Sequence, residues 1–164
     1  MVKDESFFEV ARSKNAIYVG VRGLGNLGNA PVFNEFAEKM IAEGWSRFVI
    51  DLEHCRGVDS TFMGTLLGIS RSCTDQAADG AVVLINTSPH CRKQLSSIGL
   101  DAFLVFHEGS ASAPKSTMRR LDAREVSSKE RLSLILKAHR DLIAADDRNE
   151  TKFGPFLRSI LSDH

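Results

Sequence analysis

Between residues 47 and 68 the sequence changes character twice, and the two changes limit the folds open to the whole chain. Arg47-Phe48-Val49-Ile50-Asp51-Leu52 is an apolar, β-branched run of strand length. A polar turn, Glu53-His54-Cys55-Arg56-Gly57, leads to Val58-Asp59-Ser60-Thr61 and then to Phe62-Met63-Gly64-Thr65-Leu66-Leu67-Gly68, whose apolar positions cover most faces of a helix. A strand buried on both faces that turns directly into a buried helix belongs to a layered α/β architecture. Asp59, Ser60 and Thr61 then stand at a helix mouth, where unpaired backbone N–H groups and the helix dipole favour negative charge. Either Asp59 or Ser60 can supply the N-cap, and Met63, Leu66 and Leu67 read as core. Asp51, at the end of the apolar run, is either a structural carboxylate or part of a partner site.

The rest of the chain supplies the layers. Residues 7–12 and 16–22 are short strand-like runs around Ser13-Lys14-Asn15, a hairpin pattern. A glycine-rich loop follows, Gly23-Leu24-Gly25-Asn26-Leu27-Gly28-Asn29-Ala30-Pro31. Val32, Phe33, Phe36, Ala37, Met40 and Ile41 then recur at helical spacing until Gly44, with Asn29 suited to the N-cap and Pro31 to the first turn. The helix after the corner is expected over 61–78. Gly64 and Gly68, one turn apart, imply a face that approaches a sheet closely. Residues 81–85 form another buried strand. Ser88-Pro89 opens a helix carrying Cys91, Leu95 and Ile98 and ended by Gly99, and 103–106 is the last strand. The order is β-β-α-β-α-β-α-β, with a mixed, mostly parallel sheet.

Residues 1–109 therefore read as one domain and 110–126, including Lys115, as a linker of small, polar and basic residues. Residues 127–164 read as a helical extension. Ser127-Ser128-Lys129-Glu130 has capping-box spacing, and Leu132, Ile135, Leu136, His139, Leu142 and Ile143 form one stripe. Phe153, Phe156, Leu157, Ile160 and Leu161 form a second around Gly154-Pro155. Such stripes pack back on the domain, pair with another copy or bind a partner.

Several function classes are disfavoured. A formal net charge of zero argues against nucleic acid and against an electrostatic membrane anchor. No apolar run approaches the roughly 18 residues of a membrane span, and Met1-Val2-Lys3-Asp4-Glu5-Ser6 lacks a signal-peptide core, so a cytoplasmic location is expected. Cys55, Cys73 and Cys91 match neither a disulfide framework nor a Cys-x-x-Cys site and read as buried apolar residues. His107-Glu108 has no second histidine at helical spacing, so no metal is expected. Gly23-x-Gly25-x-x-Gly28, with Asp51 and Glu53 downstream, resembles a dinucleotide fingerprint. Pro31 would fall inside that motif's helix at a cost of about 3 kcal/mol, a hairpin strand precedes it, and the chain has no second domain for a substrate. A nucleotide-binding enzyme is therefore the weaker reading, and no cofactor is expected.

Val49-Ile50-Asp51-Leu52, the turn, and Val58-Asp59-Ser60-Thr61-Phe62-Met63-Gly64-Thr65-Leu66-Leu67 resemble the signature of STAS domains, the family of anti-sigma factor antagonists and sulfate-transporter tails. Gly23-Leu24-Gly25-Asn26 resembles the family's Gly-x-x-Asp loop, and the segment from Cys91 to Phe106 its final α-β unit. The resemblance spans about residues 5 to 110. It implies a non-enzymatic bacterial regulator that binds an anti-sigma factor kinase, is phosphorylated at Thr61 or alternatively at Ser60, and is reset by a serine/threonine phosphatase. The partner surface it implies comprises Gly25, Asn26, Leu27, Asp59, Ser60 and Phe62. Phe62 stands where phosphorylatable members usually have Gly, and Asn26 where they usually have Asp. A constitutive scaffold, with oligomers formed through the C-terminal helices, is the alternative.

Overall fold

Ser13 builds the first turn. Its hydroxyl accepts the N–H groups of Asn15 and Ala16 at 3.3 and 3.1 Å and donates to the Ala16 carbonyl at 3.0 Å. That folds β1 (Phe7–Arg12) back on β2 (Ile17–Gly25) as an antiparallel pair, Phe7 opposite Arg22 and Arg12 opposite Ile17. The computed structural model describes residues 5–114 and 117–163. Residues 1–4 of the N-terminal stretch, Lys115 and Ser116 of the expected linker, and His164 of the extension lie outside the described residues.

Ile17, Val19 and Val21 alternate inward along β2. Parallel to β2 lies β3 (Arg47–Asp51), then β5 (Ala81–Ile85) and the short β6 (Val105–Phe106). Parallel neighbours require crossovers, and helices supply them. They are α1 (Ala30–Ala42), α2 (Ser60–Gln76) and α3 (Pro89–Ser96), whose Ser88 cap accepts the Cys91 N–H at 3.1 Å. The chain is thus a mixed α/β fold with a mostly parallel sheet. Phe8 of β1, Phe33 of α1 and Phe62 of α2 stack in the core, with ring centroids 5.2 to 6.0 Å apart.

Four expectations are corrected. The turn after β3 contains a strand, β4 (Cys55–Val58), which pairs in parallel with the outer end of β2, so Gly23, Leu24 and Gly25 belong to a strand rather than to a loop. The last strand is not 103–106: Leu100–Ala102 is a 3₁₀ turn, β6 is two residues long, and β7 (Arg119–Arg120) in the expected linker pairs antiparallel with β1. Asn29 occupies the N-cap position of α1 but makes no capping bond, because its side chain spans the preceding turn. Gly64 and Gly68 face a helix, not the sheet. A Cβ on Gly64 would lie 2.5 Å from the Ala138 carbonyl oxygen, and one on Gly68 would lie 3.0 Å from Lys137 Nζ.

That helix is α4 (Ser128–Ala145), opened by the Ser127–Glu130 capping box and followed by α5 (Arg148–Asp163). The extension packs back on the domain. α4 lies along α2, burying Leu134, Ala138, His139 and Leu142. Leu132, Ile135, Leu136 and Ile143 of the expected stripe remain half-buried, because the α4 face turned to α2 is the one with the small Ala138 opposite Gly64. The far end is held by Asn149, which donates to the carbonyls of Ile98 and Leu142 at 3.0 and 2.8 Å, and by Lys152, which donates to the Ser97 carbonyl.

Candidate functional site

The corner at the mouth of α2 is organised by Asp59. Its extended backbone makes it the N-cap, with Oδ1 accepting the Phe62 N–H at 2.9 Å. Its other oxygen, Oδ2, accepts the Leu27 N–H at 2.8 Å, and its own N–H donates to the Gly25 carbonyl at 2.9 Å. One carboxylate therefore fixes the turn between β2 and α1 against the start of α2.

That turn is closed internally. The Asn26 carbonyl accepts the N–H groups of Asn29 and Ala30 at 3.1 and 2.7 Å, and the Asn26 N–H donates to Asn29 Oδ1 at 3.0 Å. Asn29 Nδ2 donates back to the Leu24 carbonyl at 2.8 Å. Asn26 and Leu27 are half-buried and Gly28 is exposed, beside the 39% exposed Leu24. A groove of about 290 Å³ runs along the turn, lined among others by Phe7, Asn26, Asn29, Val32 and Arg120.

Two of the expected partner residues are not surface groups. Phe62 is fully buried and its ring lies under Gly25, where a Cβ would come within 2.8 Å of it. Gly25 is buried by the same contact. The expectation that either touches a partner is therefore corrected: Phe62 completes the aromatic stack, and Gly25 is the residue whose missing side chain makes room for it. Neither reaches solvent. Asp51 is likewise buried, its Oδ1 accepting from the Glu53 N–H and from Asn86 Nδ2, each at 3.0 Å.

The two hydroxyl residues differ. Thr61 is 5% exposed, whereas Ser60, the first residue of α2, is half-buried. Ser60 Oγ lies 2.8 Å from Nε2 of His139 on α4. Nδ1 of that ring is 2.7 Å from the Ile135 carbonyl. A carbonyl only accepts, so Nδ1 carries a proton and donates to Ile135, and the ring meets the Ser60 hydroxyl through Nε2. His139 is 1% exposed, and its ring meets Phe153 edge-on at 5.3 Å and Phe156 at 5.0 Å. Sequence reasoning placed His139 in an apolar stripe without a role; its signal was a polar ring in a row of aliphatic residues.

The corner therefore sets two hydroxyl groups, Ser60 and Thr61, in the first turn of a helix whose end favours negative charge, beside the 26–28 turn. The glycine run does not form an open phosphate loop, since Gly23 and Gly25 are paired with β4. Among the described residues, no grouping of three or more His, Cys, Asp or Glu side chains can hold a metal ion, and no helix is long and apolar enough to cross a membrane.

The sequence matches the STAS domain family model over residues 8–113. It matches none of the curated proteins compared with it. Among solved structures, a Thermotoga maritima protein provisionally named an anti-sigma factor antagonist superposes with a TM-score of 0.58 at 17% identity, over 67% of this chain and 93% of that one. The anti-sigma factor antagonist SpoIIAA in its unphosphorylated form gives 0.52 at 16% identity, covering 63% of this chain and 89% of its own. The Bacillus cell fate determinant SpoIIAA in the phosphorylated form gives 0.52 at 19%, covering 66% and 95%. At these identities the likeness establishes a shared fold.

Proposed function

The chain belongs to the STAS domain family, and from that premise we propose that it is a non-enzymatic regulator of the anti-sigma factor antagonist type, acting in a bacterial cytoplasm. Its partner is an anti-sigma factor with serine/threonine kinase activity. The docking surface is the turn around Asn26 and Leu27 together with the start of α2. One observation carries the reading: Asp59 bonds Leu27 and Phe62 at once, so a charge added one or two residues into α2 is felt by the turn that meets the partner.

Phosphorylation adds roughly two negative charges. Against a docked surface, an unpaired charge costs about 2–5 kcal/mol, on the order of 30- to 3,000-fold in affinity. The acceptor is Thr61 or Ser60, and a serine/threonine phosphatase restores binding. Because Thr61 is buried and Ser60 is bonded to His139 of α4, the kinase gains access to Ser60 when α4 lifts and to Thr61 when the start of α2 is uncovered.

A second reading, a constitutive STAS scaffold, draws on the burial of Thr61 and on Phe156 and Leu161, 45% and 48% exposed, which leave an apolar row for assembly. Incubating the full chain with a candidate kinase and ATP, then mapping peptides by mass spectrometry, separates the two. Phosphate on residue 60 or 61, with weaker kinase binding, is the switch. A Ser60→Glu, Thr61→Glu double variant that binds the kinase as tightly as the parent would overturn it.

A further inference from the structure

Two of the three cysteines meet in the core. Cys55 opens β4, Cys91 sits in the first turn of α3, and their sulfurs are 4.0 Å apart. We propose that Cys55 and Cys91 form an oxidant-responsive dithiol, closed to a disulfide by a hydroperoxide, that locks β4 to α3 immediately before the Asp59 corner. The inference is independent of any partner.

The geometry is nearly that of a bond. A disulfide holds its sulfurs about 2 Å apart, so closure asks about 2 Å of movement, within reach of side-chain rotation and a small strand shift. The chemistry also divides between the two residues. Cys91 is the more acidic of the two: its contact with the Cys55 thiol, helped by the Ser88 hydroxyl and the charge of His90, outweighs burial and lowers its pKa. Cys55 is pushed up by that same contact and by burial, and its thiol donates to the Gly57 carbonyl at 3.4 Å. Cys73, on α2, has no such neighbour, and burial alone raises it to about 11. The thiolate is the nucleophile, so Cys91 reacts and Cys73 does not.

The reaction balances with the hydroperoxide as its sole co-reactant. The Cys91 thiolate attacks one peroxide oxygen, the O–O bond breaks, and the departing hydroxide is protonated to water, leaving Cys91 as a sulfenic acid. The Cys55 sulfur then attacks the Cys91 sulfur, the S–S bond forms, the S–O bond breaks, and hydroxide leaves with the Cys55 proton as a second water. Two thiols are oxidised and one hydrogen peroxide is reduced. Cys91 is fully buried and Cys55 is 7% exposed, so the hydroperoxide reaches the pair when β4 opens beside the exposed Glu53-His54 turn.

The consequence reaches the corner through four residues. The Val58 N–H donates to Gln94 Oε1 at 3.3 Å, and Gln94 Nε2 donates to the Val58 carbonyl at 3.0 Å, so α3 already grips the end of β4. A disulfide at the other end of β4 would hold the whole strand, with Asp59 the next residue.

The test treats the reduced full chain with hydrogen peroxide under native conditions, alkylates it in denaturant, and maps the peptides. The expected product has lost the mass of two hydrogens, links the peptides containing residues 55 and 91, alkylates only at Cys73, and returns to three alkylated thiols with dithiothreitol. In Cys55→Ser, dimedone should trap a sulfenic acid at Cys91. Three alkylated thiols after treatment, or Cys73 oxidised as fast as Cys91, would overturn the proposal. The parent chain decides the matter whether or not the variant folds.

Discussion

Ser60 and His139, seventy-nine positions apart in the chain, join at 2.8 Å between hydroxyl and ring nitrogen. The bond ties the first residue of α2 to α4, and its two partners lie on either side of residue 113, where the family match ends. The proposed acceptor Ser60, inside the matched region, is thus held by a helix outside it.

Replacing His139 tests that tie. His139→Phe keeps an aromatic body beside Phe153 and Phe156 but removes the ring nitrogen that Ser60 bonds, and we expect a loss of about 1 kcal/mol. His139→Ala also leaves a cavity and should cost about 2–4 kcal/mol. Urea unfolding gives the energies. In both variants amide exchange at residues 60–64 should accelerate, and unchanged exchange in His139→Phe would show that the bond does not hold α4 down.

The contact between α2 and α4 depends on Gly64. In Gly64→Ala the new Cβ meets the Ala138 backbone carbonyl, which cannot rotate away, so α4 must shift, at an expected cost of about 1–3 kcal/mol. Gly68→Ala meets only the flexible ends of Lys137 and Asp141, and the gain in helix propensity, about 1 kcal/mol, should leave it neutral or stabilised. Limited proteolysis should cut the α4–α5 segment faster in the first variant alone. Equal cutting in both would contradict the packing.

Asp59 carries two acceptors, so its variants should separate capping from bridging. Asp59→Ala loses both and should destabilise by about 1–2 kcal/mol. Asp59→Asn retains one acceptor oxygen and can serve the Phe62 N–H or the Leu27 N–H, with an intermediate loss. Amide chemical shifts of Leu27 and Phe62 report which survives. A wild-type Leu27 shift in Asp59→Ala would mean that the turn is held by other contacts.

At the junction of α4 and α5, hydrogen bonds from the Arg148 side chain and backbone lower the Asp146 pKa to about 2. A folded pKa below the ordinary value near 4 means that the stabilisation is complete above pH 4 and is lost as pH falls toward 2. Acid titration followed by NMR should show the junction amides of residues 146–149 moving in that window. Movement centred above pH 4 would assign the change to another group.

The strands of the central sheet are legible because each is a short apolar run bounded by turn residues, and α3 is legible from Ser88-Pro89. β4 is not, since Cys55-Arg56-Gly57-Val58 has little strand propensity and exists through pairing with the glycine end of β2. The cap at Asp59 is readable from its type and place. The direction of Phe62 is not, because a helical side chain faces core or solvent according to where the neighbouring layers stand, and here Phe8 and Phe33 provide the pocket. In α4 the buried face is chosen by closeness of approach, so the smallest residue, Ala138, marks the contact better than the larger aliphatic ones.

The pairing of β7 with β1 has a quantitative meaning for how firmly α4 is kept on α2. It pins the chain at Arg120, and the Leu121 N–H extends the hold by donating to the Phe8 carbonyl at 2.8 Å, so only a few residues separate that anchor from Ser127 at the head of α4. A segment on so short a tether is present at its own binding face at an effective concentration of about millimolar. Any separate molecule that uses the same face competes against that local excess. The length of the tether, and not only the residues in contact, then sets the concentration at which a competitor wins.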